Sequence, residues 1–275
     1  MRTLLKNRRA ILCVGFLLLV IVTSFLVNYL TPHNPQTVNG DARFLPPGKG
    51  YLMGTDEFGR DLFGRVFFGA KLTLGISFFS MLLASVLGIV LGIVAGYYRG
   101  FFEKLIMRFI DITLCFPPIV VAIFVVSFFG SSAVHLICVI GLLYVPRVAR
   151  VVYSSVLTVR EMQHVEASKS MGASNLRIML INIFPNILAP AVVQFSLGMG
   201  HAVLMESGLS FLGLGPAPPA ITWGRMVQQS ARFMDISYFP VLWPSLLICL
   251  TILAFNILGD VLRDSMDPRL KNLEK

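Results

Sequence analysis

Long apolar runs separated by shorter polar segments dominate the sequence. The first run, Ala10–Leu30, holds no charged residue, and a helix needs about 20 apolar residues to cross a bilayer. The runs lack the alternation of apolar and polar positions that membrane barrel strands show, so each is predicted to be a helix. The pattern predicts an all-α integral membrane protein with six transmembrane helices, at Ala10–Leu30, Leu72–Tyr98, Phe109–Phe129, Ala133–Ser155, Ile187–Leu212 and Phe239–Leu262.

Composition supports membrane insertion. Hydrophobic residues make up 56% of the chain and charged residues 13%, whereas soluble domains average about 25% charged residues. The first run is longer than a signal-peptide core and no small-residue cleavage site follows it, so it is interpreted as a retained anchor helix. The net charge of +9 comes from basic residues placed between the apolar runs. Such charges set membrane topology, and no nucleic-acid partner is predicted.

Lys and Arg residues also predict the orientation. If the N-terminus is cytoplasmic, the inner segments hold 16 Lys and Arg residues and the outer segments 7. Basic residues concentrate on the cytoplasmic side of membrane proteins. Both termini and the polar interval Glu161–Pro190 are therefore expected in the cytoplasm. The chain is expected in the inner or plasma membrane of the cell.

The first outer segment, Thr31–Lys71, groups with the anchor helix, which gives a predicted division into 1–71 and 72–275. Thr55 or Asp56 is predicted to cap a short amphipathic helix at the outer interface that leads into the second span. A solvated loop is the alternative.

Two spans carry helix-packing signals. Gly88, Gly92 and Gly96 form consecutive GxxxG repeats in the second span, which let another helix approach closely, either within the bundle or in a homodimer. Phe116-Pro117-Pro118 is expected to break the first turn of the third span.

The fifth span contains ionisable residues deep in an apolar run. Glu206 is a candidate for lining a translocation path, because an ionisable group in the membrane normally faces an aqueous cavity or the bundle interior. The alternative is a Glu that fixes packing against a neighbouring helix. His201, with Met205 nearby, is a candidate contact for a cationic or metal-bearing solute or else a packing residue. Trp223 and Trp243 are predicted to lie in the outer aromatic belt.

Sequence motifs for catalysis are missing. The chain has no P-loop, dinucleotide fingerprint, zincin motif or nucleophile elbow, so no catalytic residue, metal ligand or bound cofactor is predicted. A gradient-driven carrier usually shows several intramembrane acids and an internal repeat. A subunit driven by a partner is favoured over such a carrier, and over a membrane-embedded assembly or sensor protein without transport.

The inner loop, about residues 156–186, is the predicted docking surface for that partner. Val165–Met171 and Ser174–Ile183 are predicted as helical segments on either side of Gly172. Small residues would let the turn seat in a groove of the partner, with Lys169 and Arg177 at its rim. Movement of a cytoplasmic motor could then pass to the spans.

The loop sequence resembles a known family. Glu166-Ala-Ser-Lys-Ser-Met-Gly172, followed by Phe184-Pro185, is similar to the E-A-A-x-x-x-G…L-P loop of ABC importer permeases, which forms a cytoplasmic coupling helix. The segments 54–61 (GTDEFGRD), 206–215 (ESGLSFLGLG) and 260–269 (DVLRDSMDPR) resemble the dipeptide, oligopeptide and nickel branch, specifically its shorter C-type subunit. The resemblance implies a type I importer permease fold and assigns these residues to the coupling loop: Glu166, Ala167, Ser168, Gly172, Ala173 and Arg177.

The resemblance also implies partners. These are a second permease subunit in a heterodimer, two ATPase subunits that use ATP and Mg, and an extracytoplasmic solute-binding protein. Asp56, Arg60 and Asp61 belong to the outer motif, with a structural or receptor-facing role. The cargo is expected to be peptides, nickel or metal chelates, and the Gly200-His201 pair favours the nickel type.

Overall fold

The computed structural model describes residues 7–31, 33–48 and 50–266, and within them the protein is almost entirely helical. Two isolated bridges, Gly48 with Tyr51 and Thr55 with Asp61, are the only extended pairings of the described residues. The helices are α1 Arg8–Leu30, α2 Leu62–Tyr98, α3 Gly100–Cys115, α4 Pro118–Phe129, α5 Ala133–Arg160, α6 Gln163–Ser170, α7 Asn175–Arg177, α8 Phe184–Phe211, α9 Trp223–Ser230 and α10 Phe239–Met266. A π-helical segment, Ile178–Ile183, joins α7 to α8.

Five of the described helical units are long and apolar enough to cross a membrane, and a bent helix pair supplies a sixth apolar segment. The pair is α3 and α4, which meet at 88°. The predicted break at Phe116-Pro117-Pro118 is present, because Phe116 is extended and Pro117 and Pro118 start a new helix, but it divides the predicted third span into two helices instead of disrupting only its first turn. α4 alone has 12 residues, about 18 Å of helix, which is shorter than the hydrocarbon layer of about 30 Å.

The glycine face of α2 packs against α5 of the same chain. A Cβ atom added to Gly92 would lie 2.7 Å from the Cβ of Val152 and 2.8 Å from the carbonyl oxygen of Ala149. Gly88 and Gly96 meet α5 in the same way, through Val148 and Val156. The GxxxG repeats therefore build the central helix pair of the bundle, and α5 occupies the face that the homodimer alternative would need.

The outer end of α2 differs from the prediction. α2 begins at Leu62, and Asp61 caps it by accepting hydrogen bonds from the backbone N–H groups of Phe63 and Gly64, both at 3.2 Å. The predicted cap at Thr55 or Asp56 is wrong, since the residues before Asp61 form a loop. The predicted short helix is present as the first turns of α2. The division proposed at residue 71 falls inside α2 and stays a prediction.

The two tryptophans hold the outer segments together. Trp223 is fully buried, and its Nε1 donates to the carbonyl oxygen of Val66 at 2.8 Å. The Nε1 of Trp243 donates to the carbonyl oxygen of Met53 at 3.0 Å. The prediction that Trp223 belongs to a lipid-facing belt is wrong, because α9 carries this side chain inward against α2.

Candidate functional site

The loop between α5 and α8 is held in a defined shape by a helix C-cap. After α6, the N–H of Gly172 donates to the carbonyl oxygen of Lys169 at 3.0 Å, and that of Ala173 donates to Ser168 at 3.1 Å. These two bonds form a Schellman motif, which requires a left-handed residue after the helix. Gly172 supplies it with φ +77°, and an added Cβ would meet nothing within 4 Å. Backbone conformation, and not contact inside this chain, demands glycine here.

The same loop presents apolar side chains to its surroundings. Met171 is 79% exposed and Leu176 is 63% exposed, one on each side of the turn. Glu166, Ala167 and Arg177 are exposed as well. Four predicted coupling residues are exposed on this loop beside Met171 and Leu176, and the six together are here called the loop tip: Glu166, Ala167, Met171, Gly172, Leu176 and Arg177. The other two predicted coupling residues, Ser168 and Ala173, are partly buried.

Two side-chain hydrogen bonds anchor the base of the loop. The Nδ2 of Asn182, in the π-helical segment, donates to the Oγ of Ser168 at 3.0 Å. The hydroxyl of Tyr97, at the end of α2, donates to the Oδ1 of Asn175 at 2.7 Å. Sequence reasoning missed Tyr97 and Asn175. The only signal for them was that each carries a polar group near the end of an apolar run.

A groove lies between the base of the loop and the end of α2, with a cavity volume of about 490 Å³. Charged residues of both signs line it, together with the two tyrosines at the end of α2: Tyr97, Tyr98, Arg99, Arg160, Glu161, Glu166 and Lys169. Arg160 carries an Nη1 that finds no acceptor among the described residues. The groove thus carries charged side chains at the base of the loop, and Glu166 belongs to both the groove and the loop tip.

Glu206 lies fully buried where α8 meets α2 and α9. Its Oε1 accepts a hydrogen bond from the Oγ of Ser210 at 2.7 Å, and the Oγ of Ser207 lies 3.5 Å from its Oε2. Thr73 of α2 and Thr222 at the start of α9 lie close to the same carboxyl group. A buried ionisable group persists when its hydrogen-bonding capacity is satisfied. This environment is the one that the packing interpretation of Glu206 expects.

His201 faces a different direction. The ring of His201 is exposed, and its Nδ1 lies 2.9 Å from the carbonyl oxygen of Leu197 in its own helix. Five positions separate His201 from Glu206, which places them about 140° apart around the helix. Met205 is buried in the core. The three residues therefore do not form one site within this chain, and their roles in a translocation path stay predictions.

A buried charge network occupies the outer motif. The Oδ2 of Asp56 accepts a hydrogen bond from the Nε of Arg60 at 2.7 Å and forms an ion pair with the Nε of Arg65 at 3.2 Å. Its Oδ1 accepts from the backbone N–H groups of Phe58 and Arg60, both at 2.9 Å. Asp61 receives the hydroxyl of Thr31 at 2.8 Å in addition to its capping bonds.

The network also joins the outer segment to α9. The Oγ of Ser230 lies 3.4 Å from the Oε2 of Glu57, and the Nε of Arg43 donates to the carbonyl oxygen of Glu57 at 2.7 Å. Gly59 closes the loop with φ +69°, and a side chain there would run into the carbonyl of Asn39. The carboxylates of the motif thus face inward. Arg65, which sequence reasoning missed, stands one helical turn after Asp61, and that spacing was its signal.

No group of three or more His, Cys, Asp or Glu residues in 7–31, 33–48 and 50–266 is arranged to hold a metal ion. The C-terminal motif 260–269 runs beyond Met266, so its Asp267, Pro268 and Arg269 lie outside the described residues.

Together, the apolar helices, the inward-facing outer motif and the projecting loop define a membrane-embedded transport subunit. Residues 88–272 match the family described as the binding-protein-dependent transport system inner membrane component. Residues 1–47 match the N-terminal TM domain of oligopeptide transport permease C. The chain belongs to this family of ABC importer permeases, in its C-type branch. Membership excludes the gradient-driven carrier and the sensor protein.

Several relatives are similar over nearly the whole chain. The dipeptide transport system permease protein DppC of Alkalihalophilus pseudofirmus is 40% identical over 276 residues, covering 98% of this chain and 89% of the relative. DppC of Escherichia coli is 39% identical, covering 97% and 91%. The glutathione transport system permease protein GsiD of Pectobacterium atrosepticum is 36% identical, covering 98% and 90%. Such relatives are transport permease subunits and not enzymes.

A solved structure shares the fold. The inward-facing MetNI methionine ABC transporter matches with a TM-score of 0.61 at 18% identity, covering 74% of this chain and 97% of the matched chain. The predicted all-helical, type I importer permease fold is confirmed.

Proposed function

We propose that this chain is a permease subunit of an ATP-driven importer of short peptides. The similarity to permeases named for dipeptide and glutathione transport covers 97% or more of the chain, which supports a cargo of this chemistry. In this proposal the chain forms half of the translocation path and pairs with a second permease subunit. An extracytoplasmic binding protein delivers the peptide.

The loop tip is the proposed docking surface for a cytoplasmic ATPase subunit. The observation that carries this assignment is the pair of exposed apolar side chains, Met171 at 79% and Leu176 at 63%, on a loop whose base is hydrogen bonded to α2 and to the π-helical segment. Exposed apolar side chains on a rigid support are typical of a protein interface. The excess of Lys and Arg residues in the inner segments supports a cytoplasmic position for this loop and for both termini.

Force from the ATPase would reach the membrane through α8. α7, the π-helical segment and α8 form one apolar unit, Asn175–Phe211, so no flexible linker separates the loop tip from the span. The hydrogen bond from Tyr97 to Asn175 adds a second connection, to the end of α2. ATP and Mg would be held by two ATPase subunits and not by this chain.

Arg substitution at Ala167 tests the coupling role. Ala167 is exposed and Arg is a good helix former, so α6 should persist while the long side chain prevents close docking. We expect peptide uptake to fall at least tenfold, about 1.4 kcal/mol of coupling, while ATP hydrolysis continues. Thr158→Arg, at another exposed position just before the loop, is the control and should retain uptake. Equal uptake by the two variants would refute the docking assignment.

Uptake assays in proteoliposomes test the cargo. The complete importer should accumulate labelled dipeptide or glutathione only when ATP and the binding protein are present. Accumulation of nickel or a metal chelate, with no peptide uptake, would contradict the peptide proposal and support the cargo that His201 suggested.

A further inference from the structure

A small pocket opens beside the outer charge network, between the start of α2 and α9. Its cavity volume is about 250 Å³. Its polar lining is dominated by arginine and amide side chains: Gln36, Arg60, Arg65, Thr222, Arg225 and Gln229. Of the residues that the structure describes, no Asp or Glu lines the pocket, so every charged group of that lining is a cation.

The positive charge of this lining is only partly neutralised. Arg60 forms ion pairs with Asp56 and Glu57, and Arg65 forms one with Asp56; neither carboxylate belongs to the lining of the pocket. Arg225 has no ion pair within 4.0 Å among the described residues. Its buried Nε also lacks a hydrogen-bond acceptor in that part of the chain. A buried donor without an acceptor is costly, so Arg225 is poised to receive an anionic group.

The backbone around Arg225 is fixed. Its N–H lies 3.3 Å from the Oγ1 of Thr222, which caps α9, and its Nη1 donates to the carbonyl oxygen of Pro216. One residue earlier, Gly224 lies so close to the backbone of Ser207 that no side chain would fit there. The guanidinium is therefore held by α9 and by the loop between α8 and α9 before any ligand arrives.

Size and charge together identify the ligand. A guanidinium cluster recognises a carboxylate through charge-assisted hydrogen bonds. The cavity is smaller than the roughly 300–1,000 Å³ of ordinary small-molecule sites, so it fits one side chain better than a whole peptide. We propose that this pocket binds an Asp or Glu side chain of the extracytoplasmic binding protein and thereby orients that protein on the permease. The proposal rests on the proposed function, which places a binding protein on this face.

Docking measurements on the complete importer test the pocket. The importer is reconstituted in nanodiscs, and the Kd of its fluorescently labelled, substrate-loaded binding protein is measured at low and high salt. Arg225→Gln removes the cation and keeps a polar side chain, and we expect the Kd to rise about tenfold. Arg232→Gln removes an exposed outer arginine that does not line the pocket and should change the Kd less than twofold.

A second variant leaves the bond to Pro216 intact. Gln229→Glu puts a carboxylate into the lining without a change of size, and should raise the Kd about fivefold. Gln228→Glu adds the same charge next to it but outside the lining, so it should have less than half of that effect. This pair keeps the test valid if Arg225→Gln does not fold.

The outcomes are distinct. The proposal is supported if each pocket variant raises the Kd more than its control does. This difference should become smaller at high salt, because salt screens the charges. Equal effects of variant and control, with normal docking of the wild type, overturn the pocket assignment and leave the importer function standing. A different result would also overturn the proposal: pocket variants that dock the binding protein normally but have a higher KM for peptide acids than for peptide amides. In that case the pocket would bind the carboxylate of the substrate. Absence of docking by the wild-type importer contradicts the proposed function itself.

Discussion

Asp56→Asn is the most informative perturbation of the outer motif. Asp56 is 2% exposed and accepts three hydrogen bonds, two from backbone N–H groups to Oδ1 and one from the Nε of Arg60 to Oδ2. Its Oδ2 also forms an ion pair with the Nε of Arg65 at 3.2 Å. In asparagine the amide oxygen can still accept the backbone bonds. The amide nitrogen that replaces Oδ2 cannot accept from Arg60 or Arg65, so both guanidinium groups face another donor.

The expected loss of stability follows from the burial of these partners. The side chain of Arg65 is 6% exposed and that of Arg60 is 15% exposed, so water can replace the lost acceptor only in part. Removing one member of a buried ion pair costs about 3–5 kcal/mol. For a chain of this size, that loss corresponds to a fall of about 6–20 °C in the midpoint of thermal unfolding.

Thermal challenge of the purified importer measures this loss. A fluorescent tag on this chain reports its own monodisperse fraction after heating, as resolved by size-exclusion chromatography. Asp41→Asn, an exposed change in the same outer segment, is the control and should shift the midpoint by no more than about 1–2 °C, as surface substitutions do. If both variants have the same midpoint of thermal unfolding, the charge network does not stabilise the fold and the reasoning is wrong.

Three further predictions concern the helices. Gly92→Ala should destabilise the α2–α5 pair by about 1–3 kcal/mol through overpacking. Gly75→Ala, whose added Cβ has nothing within 4 Å, is the control and should be neutral or stabilising. Equal thermal midpoints of the two variants would contradict the packing of α2 on α5. Glu206→Gln keeps an acceptor for the hydroxyl of Ser210 and should retain uptake within about twofold if Glu206 serves packing; loss of uptake with normal expression would support a role in the path. Gly172→Asn should keep more uptake than Gly172→Val, since Asn tolerates the left-handed region and a β-branched residue does not; the reverse order would exclude the backbone explanation.

The membrane class and most spans were predictable because run length alone decides whether a segment can cross a bilayer. The bend between α3 and α4 was not predictable. The second half of Phe109–Phe129 is apolar throughout, and hydropathy gives no information on the direction of a helix axis. The proline pair marked the position of the break but not an angle of 88°. Similarly, the apolar character of Trp223 fits both lipid and protein surroundings, and only the packing of α9 on α2 distinguishes them.

In the candidate site, too, some features could be predicted from the sequence and others could not. The turn at Gly172, in the proposed coupling loop, was predictable because a helix C-cap depends on residues that are adjacent in the sequence. The anchors of the loop were not predictable, since Tyr97 and Asn175 are 78 positions apart in the sequence. The role of Asp56 as an inward-facing hub, and that of Asp61 as the cap of α2, likewise depend on which residues the fold brings beside them.

Crosslinking from the loop tip tests the central claim most directly. A photo-reactive amino acid replaces Met171, which is 79% exposed, or, as the control, Leu52, which is 72% exposed in the outer segment. In the intact importer in membranes, we expect position 171 to crosslink to an ATPase subunit and position 52 to give no such product. Failure of position 171 to reach an ATPase subunit in an importer that is active in uptake, or capture of that subunit from position 52, would contradict the assignment of the loop as the coupling element.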